Sequence, residues 1–121
     1  MRKTIETRRI VESYFAAWTS NRVDDAYALL ADNLEFSGPS ANYKSAEEFR
    51  PGLTAFAKMT KGARILDFLV EDDRAAMLYD CDLPAPVGTL KIASFFRVEN
   101  GKIRTYATLF DAAEFRKLLA R

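Results

Sequence analysis

Apolar residues recur at helical spacing in the first half of the chain. This recurrence predicts one amphipathic helix over residues 4–20 and a second helix over residues 24–33. The apolar positions of the first helix are Ile10, Val11, Tyr14, Phe15 and Trp18. A short strand over residues 34–37 is expected to end at Gly38 and Pro39, because both residues favour turns.

A third helix is predicted to run from Ser45 toward Lys58. Ser45 and Glu48 have the spacing of a capping box, in which both side chains accept hydrogen bonds from backbone N–H groups at the start of a helix. Pro51 and Gly52 should bend or split this helix, since proline lacks the N–H that a helix interior requires.

From residue 63 onward the apolar positions follow strand patterns. The predicted strands cover residues 63–71, 74–83, 90–98 and 103–110. A turn is expected at Asp72-Asp73, and Asn100-Gly101, between the last two strands, is the strongest short-range hairpin signal that a sequence offers. Asp111 is expected to cap a closing helix over residues 112–119, with Glu114 at capping-box spacing.

Helices that lead into a long antiparallel sheet predict an α+β domain in which one curved sheet wraps the helices. The chain has 121 residues, which is enough to bury a substantial core and too few for two cores. A single domain over residues 1–121 is therefore expected.

Net charge and cysteine content limit the partners and the location. The chain carries 18 basic and 17 acidic residues, and its formal charge of +1 argues against a nucleic-acid partner held by a strongly basic surface. No window is apolar enough to predict a membrane span. The single Cys81 cannot form an intramolecular disulfide, and the start of the chain lacks a signal-peptide pattern, so a cytoplasmic location is expected.

The chain contains no histidine, which excludes Ser-His and Cys-His catalysis. Any acid–base chemistry must therefore come from Asp, Glu, Tyr or Lys side chains with shifted pKa values, or from Cys81 with an unusual partner. Aromatic residues make up 12% of the chain, a content that predicts either a thick core or an aromatic-lined cavity.

Strand parity predicts which side chains face such a cavity, because successive side chains of a strand point to opposite faces. On the strand over residues 90–98, the expected inward residues are Ile92, Ser94 and Phe96. The matching faces of the neighbouring strands are expected to carry Ala76, Leu78, Asp80 and Asp82, and Tyr106, Thr108 and Phe110. The residues expected to close the cavity from the other side are Tyr14, Trp18, Phe36, Phe49 and Phe56.

Asp80 and Asp82 are the clearest candidates for catalytic acid and base. Residues two apart on one strand face have Cβ atoms roughly 6–7 Å apart, and two carboxylates at an apolar pocket could act as acid and base. The alternative is that Asp82 lies in water at the strand end and that Asp80 alone is half-buried. Tyr14 is either a hydrogen-bond donor to a ligand or a core residue. Cys81 is expected on the outer face, with no neighbour that would activate its thiol.

Four segments jointly resemble one known family. They are S-Y-F-A-A-W at residues 13–18, D-D-A-Y-A-L-L-A-D-N-L-E-F-S-G-P at residues 24–39, F-R-V-E-N-G-K-I at residues 96–103 and L-F-D at residues 109–111. With the order of helices and strands, they are similar to SnoaL-like proteins of the nuclear transport factor 2-like superfamily. The resemblance implies a cone-shaped half-barrel, usually a homodimer, with an apolar pocket between helices and sheet. That superfamily includes ketosteroid isomerases, epoxide hydrolases, polyketide cyclases and non-enzymatic binding domains, so it does not define an activity.

The catalytic residues of these relatives are only partly present. The resemblance places Tyr14 on the oxyanion-binding tyrosine of ketosteroid isomerases, but it places Gly38 on their general base and Ser94 near their second donor. The positions of the arginine and two aspartates of limonene-type epoxide hydrolases fall near Leu78, Asp80 and Thr108. Polyketide cyclases use an aspartate with neighbours that often include histidine, and this chain has no histidine.

Two functions therefore stand as hypotheses. The first is acid–base chemistry of isomerase, cyclase or hydrolase type on an apolar substrate, through Asp80 and Tyr14 and with neither a metal nor an organic cofactor. The second is a binding module without turnover, and a purely structural dimerisation domain is a weaker third. The sheet face that carries Lys91, Ala93, Phe95 and Arg97 has no predicted helix left to cover it, so a homodimer through this face is expected.

Overall fold

The computed structural model describes residues 2–119, apart from the side chains of residues 115 and 117–119. The helices are α1 (Arg2–Thr19), α2 (Val23–Tyr27), α3 (Ala46–Met59) and α4 (Ala112–Leu119). The strands are β1 (Leu30–Ser37), β2 (Asn42–Tyr43), β3 (Gly62–Glu71), β4 (Arg74–Asp82), β5 (Thr89–Glu99) and β6 (Lys102–Leu109). Within residues 2–119, no helix combines the length and the apolar character that a membrane crossing requires.

The strands form one curved, six-stranded sheet in the order β2-β1-β6-β5-β4-β3. Neighbouring strands are antiparallel, except that β1 and β6 run parallel. Helix α1 contacts strands β3 to β6, and helix α3 contacts β1 and β2. Side chains of β4 and β5 alternate between buried and more exposed positions, so the core lies between the helices and one face of the sheet. The predicted α+β architecture is confirmed.

Helix α1 follows the predicted apolar stripe and is fixed to the sheet at its N-terminal end. Its buried residues are Thr7, Ile10, Val11, Tyr14, Phe15, Ala17 and Trp18. Thr4 Oγ1 accepts a hydrogen bond from the backbone N–H of Asp72 at 3.0 Å, and Thr7 Oγ1 donates to the Asp72 carbonyl at 2.7 Å. These bonds join the first turns of α1 to the tight turn between β3 and β4.

Helix α3 begins at the predicted cap and is not split by proline. Ser45 Oγ accepts from the Glu48 N–H at 3.0 Å, and Glu48 Oε1 accepts from the N–H of Lys44 at 3.0 Å, so both capping residues act as predicted. The helix continues through Pro51 to Met59. Pro51 removes a single backbone donor near the start of the helix, and burial of Phe49 and of later residues compensates for it.

The largest departure from the predicted elements lies at residues 28–33. The second helix is shorter than predicted: α2 ends at Tyr27, and the chain enters β1 at Leu30. Leu30 and Leu34, both buried, have a spacing that suits a helix as well as a strand. These residues form a strand because β1 pairs with β6, and this tertiary contact overrides the local helical preference.

The predicted turns are confirmed. Asn100 and Gly101 have φ values of 51° and 77°, the left-handed conformations that a type I′ hairpin turn requires. Asp72 has a φ of 53° in the turn between β3 and β4. Asp111 Oδ1 accepts from the N–H of Ala113 at 3.0 Å and thereby caps α4.

Candidate functional site

A cavity of about 280 Å³ opens between α1, α3 and the inner face of the sheet. The residues that were predicted to line it and do so are Trp18, Phe36, Phe49, Phe56, Ile92, Tyr106, Thr108 and Phe110. Strand parity predicted the lining residues of β5 and β6, and Phe110, which directly follows β6, belongs to the same predicted set. Phe36 was expected on the helical side of the cavity, but it lies on strand β1.

Other lining residues were not predicted. They are the loop residues 38–41, Tyr43, Gly52, Leu53, Ala55, Met59 and Tyr79. Leu53 and Met59 could have been found from the sequence, since they follow Phe49 and Phe56 at helical spacing along α3. Tyr43 lies on β2, a two-residue strand with no signal of its own.

The predicted inner face of β4 is wrong by one residue. Its buried residues are Ala75, Met77, Tyr79 and Cys81, whereas Ala76, Leu78, Asp80 and Asp82 lie on the outer face. Six residues, 83–88, separate Asp82 from its partner Thr89 on β5. Odd-numbered residues of β4 therefore lie beside even-numbered residues of β5, and Tyr79 aligns with Ile92. The available signal was the apolar character of the odd series, since the even series ends in two aspartates.

Asp80 and Asp82 are therefore paired with cations outside the cavity. Lys91 Nζ donates to Asp80 Oδ1 at 3.0 Å. Arg64 donates to both oxygens of Asp82 at 2.8 and 3.0 Å, and Thr89 Oγ1 donates to Oδ1 at 2.8 Å. These hydrogen bonds, first of all those from Arg64, lower the pKa of Asp82 to about 2. Neither carboxylate can serve as an acid or base for a ligand inside the cavity.

Tyr14 is a core residue that lies behind the cavity wall. Its ring is fully buried and meets Phe96 and Tyr106 edge to face, at centroid distances of 6.2 and 5.4 Å. The hydroxyl makes no hydrogen bond of normal geometry with a described residue, although Tyr106 is near enough to interact with it electrostatically. Burial, with a smaller contribution from Tyr106, raises the pKa of Tyr14 well above its ordinary value. This tyrosine does not line the cavity.

Ser94 and Phe96 face inward as predicted but lie beneath the lining. Phe96 stacks on Tyr106 with a centroid distance of 4.7 Å. The fully buried Ser94 hydroxyl lies 3.4 Å from the Tyr79 hydroxyl and 3.0 Å from Thr108 Oγ1. We refer to Tyr79, Ser94 and Thr108 as the hydroxyl chain, and the Tyr106 hydroxyl is close enough to interact with Ser94 and Thr108. The hydroxyl chain is the main polar feature of an otherwise apolar wall.

Cys81 lies on the inner face, which corrects the expectation of an outward thiol. It is buried, with Thr60 Oγ1 at 3.5 Å from its Sγ. Burial raises the pKa of the Cys81 thiol, so the thiolate needed for nucleophilic chemistry is disfavoured.

The cavity offers hydrogen bonds but no charge. Among the described residues that line it, none carries a charged side chain. Burial raises the pKa values of Tyr79 and Tyr106, which keeps both phenols neutral at physiological pH. No group of three or more potential metal ligands occurs within the described part of the chain. The arrangement is suited to hold a neutral molecule.

Comparison with known proteins agrees with this architecture. The structure resembles a protein from Kribbella flavida DSM 17836, with a TM-score of 0.87 and 23% identity over 93% of this chain and 92% of that chain. It also resembles an NTF2-like protein from Cytophaga hutchinsonii, with a TM-score of 0.79 and 19% identity over 93% and 94% of the two chains. An LEH-like epoxide hydrolase from M. tuberculosis gives a TM-score of 0.76 and 20% identity over 97% and 92%. These identities show a shared NTF2-like fold and nothing finer.

The sequence itself shows which family the chain belongs to. The model of the SnoaL-like domain family matches residues 11–106, and this chain belongs to that family. No curated protein matches the chain.

Proposed function

We propose that this protein binds a small, uncharged, apolar molecule in the cavity between its helices and its sheet, without acid–base turnover. The observation that carries this proposal is the composition of the cavity wall, which combines aromatic and aliphatic side chains with neutral hydroxyls and has no charged residue among the described ones. An isolated charge would lose its hydration there with no partner to compensate for it.

Size restricts the ligand further. The volume of about 280 Å³ lies just below the range that is usual for ligand pockets, about 300–1,000 Å³. Several rings of the wall, among them Trp18, Phe36 and Phe56, present flat apolar surfaces. A ligand of one or two fused rings fits both the volume and the character of the wall.

The two groups that were candidates for acid–base catalysis do not face this cavity. Asp80 is paired with Lys91 on the outer face, and the Tyr14 hydroxyl lies behind the wall. The cytoplasmic location stays a prediction from the sequence.

Binding can be measured through the only tryptophan of the chain, Trp18, which is 3% exposed and lines the cavity. Naphthalene should bind with a saturable change in Trp18 emission, because it is neutral, apolar and small enough. Its charged analogue 2-naphthoate should bind much more weakly, since its carboxylate would lose hydration against an uncharged wall.

A pair of alanine variants locates the binding. Ala55 is exposed and lines the cavity mouth, whereas Ala16 is exposed on α1 and does not line it. Ala55→Phe should weaken naphthalene binding by at least about fivefold, because the ring competes for the same space, and Ala16→Phe should not. No binding of naphthalene by fluorescence or equilibrium dialysis, or equal binding by both variants, would contradict the proposal.

We also propose that a second copy of the chain covers the outer face of the sheet. On this face Leu69 aligns through Ala76 with Phe95, and Leu78 aligns through Ala93 with Leu109. Leu69, Phe95 and Leu109 are 68%, 49% and 60% exposed. Large apolar side chains among small alanines form a surface that a symmetric partner can bury.

A further inference from the structure

Two arginines stand side by side on the outer face of the sheet. Arg74, the first residue of β4, aligns directly with Arg97 on β5, and both residues are exposed. Like charges that lie directly opposite each other on one sheet face destabilise the pairing of their strands. An anion bound between the two guanidinium groups would turn this repulsion into attraction.

The protein itself supplies little negative charge to this pair. Arg74 Nη2 lies 3.4 Å from Glu71 Oε1, and the two side chains are 62% and 81% exposed, so solvent weakens their contact. Within the described part of the chain, the Arg97 side chain forms no ion pair and no hydrogen bond with another residue. The charge of Arg97 is therefore available to an anion from outside the chain.

The two arginines border an open hollow of about 550 Å³, which we call the arginine hollow. Glu35 is the one carboxylate among the described residues that line it, and this carboxylate already has Arg104 at 3.5 Å. Hydrogen-bond donors are more numerous. Besides the two arginines, the lining residues with polar side chains that can donate are Ser37, Asn42, Lys44 and Thr105.

The arginine hollow lies at one end of the outer face. The next outward-facing row of the sheet, away from the turn between β3 and β4, contains Ala76 and Phe95. Phe95 belongs to the apolar surface that we assign to a second copy, and its ring also lines the hollow. The hollow therefore lies at the margin of that apolar surface, and the sheet separates it from the cavity between helices and sheet.

We propose that the arginine hollow binds the dianionic head group of a small phosphate monoester. Each guanidinium group can donate two parallel hydrogen bonds to phosphate oxygens, and one dianion compensates both cations. A single carboxylate would leave one of the two charges uncompensated. The Phe95 ring offers apolar surface to the organic part of the ligand. This site goes beyond the proposed function, because it lies outside the cavity and takes a ligand of opposite character.

Phenyl phosphate is the probe, because it joins a dianionic head group to a small apolar ring. Its binding is measured by isothermal titration calorimetry on the wild-type protein as it assembles in solution, above the second pKa of phosphate monoesters, about 6. Binding should saturate, and naphthalene should not displace the probe, since naphthalene occupies the cavity. Benzoate carries one negative charge and should bind at least about threefold more weakly.

Variants of the charged residues locate the probe. Arg97→Gln should weaken phenyl phosphate binding by at least about fivefold, and Arg97→Lys should also weaken it, because lysine keeps the charge but lacks the planar fork. Glu35→Gln should strengthen binding, since it removes a negative charge from the lining. Arg22→Gln is the matched control: Arg22 is 53% exposed and pairs with Asp25, and it does not line the hollow.

Several outcomes would overturn this assignment. One is the absence of saturable phenyl phosphate binding to the wild type. Another is equal weakening by Arg97→Gln and Arg22→Gln, or unchanged binding in Arg97→Lys, because net charge alone would then hold the probe. If the probe does not bind and Arg97→Gln separates a wild-type dimer, the arginines meet a carboxylate of the second copy and the phosphate site is rejected. Naphthalene binding is measured separately, so each of these failures leaves the proposed function intact.

Discussion

Asp80 and Asp82 each form an ion pair with a neighbouring cation, so no ligand is needed to explain why carboxylates stand at these positions. Lys91 and Arg64 lie on the strands that flank β4, so each carboxylate meets a positive charge across the outer face of the sheet. The Lys91 side chain is 59% exposed and that of Arg64 is 53% exposed, and solvent screening makes such pairs weak contributors to stability.

Asp80→Asn should therefore leave naphthalene affinity unchanged within about twofold and change the free energy of unfolding by less than about 1 kcal/mol. The first quantity is measured by Trp18 fluorescence and the second by urea denaturation. Asp67→Asn, on the neighbouring strand β3, is the control for removal of an exposed carboxylate. A large loss of ligand affinity in Asp80→Asn alone would return this residue to the functional site.

Among the elements, α3 matters most for the cavity, because it supplies Phe49, Leu53, Phe56 and Met59 to the wall. The start of α3 is fixed by side-chain hydrogen bonds as well as by the burial of Ala46 and Phe49. Ser45 accepts the N–H of Glu48, and Glu48 accepts the N–H of Lys44. Acidic residues in the first turn and Lys58 in the last turn also complement the helix dipole.

Ser45→Ala should lower the free energy of unfolding by about 1 kcal/mol, because the backbone N–H of Glu48 at the start of the helix loses its acceptor. Thermal and urea denaturation both measure this change. Ser13→Ala is a suitable control, since Ser13 is exposed in the interior of α1 and alanine favours helices. Equal stability of the two variants would show that the cap contributes little.

At the scale of the whole molecule, the sheet has one face that packs on helices and one that carries exposed leucine and phenylalanine side chains. If a second copy covers that outer face, a charge in its centre should separate the subunits. Phe95→Glu should give a folded monomer of about 13.7 kDa at micromolar concentration, whereas the wild type should sediment as a dimer.

Ile5→Glu is the matched control for the dimer. Ile5 is 66% exposed on α1, so the variant removes an even more exposed apolar side chain that lies on a helix and not on the sheet, and it should remain dimeric. A wild-type protein that sediments as a monomer at micromolar concentration would rule out this assembly.

Much of this architecture could be predicted because local signals and tertiary structure agree. The Asn100-Gly101 turn, the Ser45 cap and the stripe of α1 each have a local physical cause, and all three are confirmed. The extent of β1 depends on pairing between strands, which local patterns do not encode, whereas the face of β4 was indicated by its apolar odd-numbered residues and was nevertheless assigned one residue out of step. The hydroxyl chain escaped prediction for the same reason, since it needs Tyr79 on the inner face opposite β5.

Strand β5 carries its two sets of side chains on opposite faces. Ile92, Ser94 and Phe96 belong to the core and the cavity, whereas Lys91, Phe95 and Arg97 belong to the surface. Substitutions in one set leave the other set in place, since alternation along a strand separates them by the thickness of the sheet. If the inner face binds a ligand and the outer face binds a second copy, as we propose, ligand preference and subunit association can diverge independently along a single short segment, and a designer can alter one without rebuilding the other.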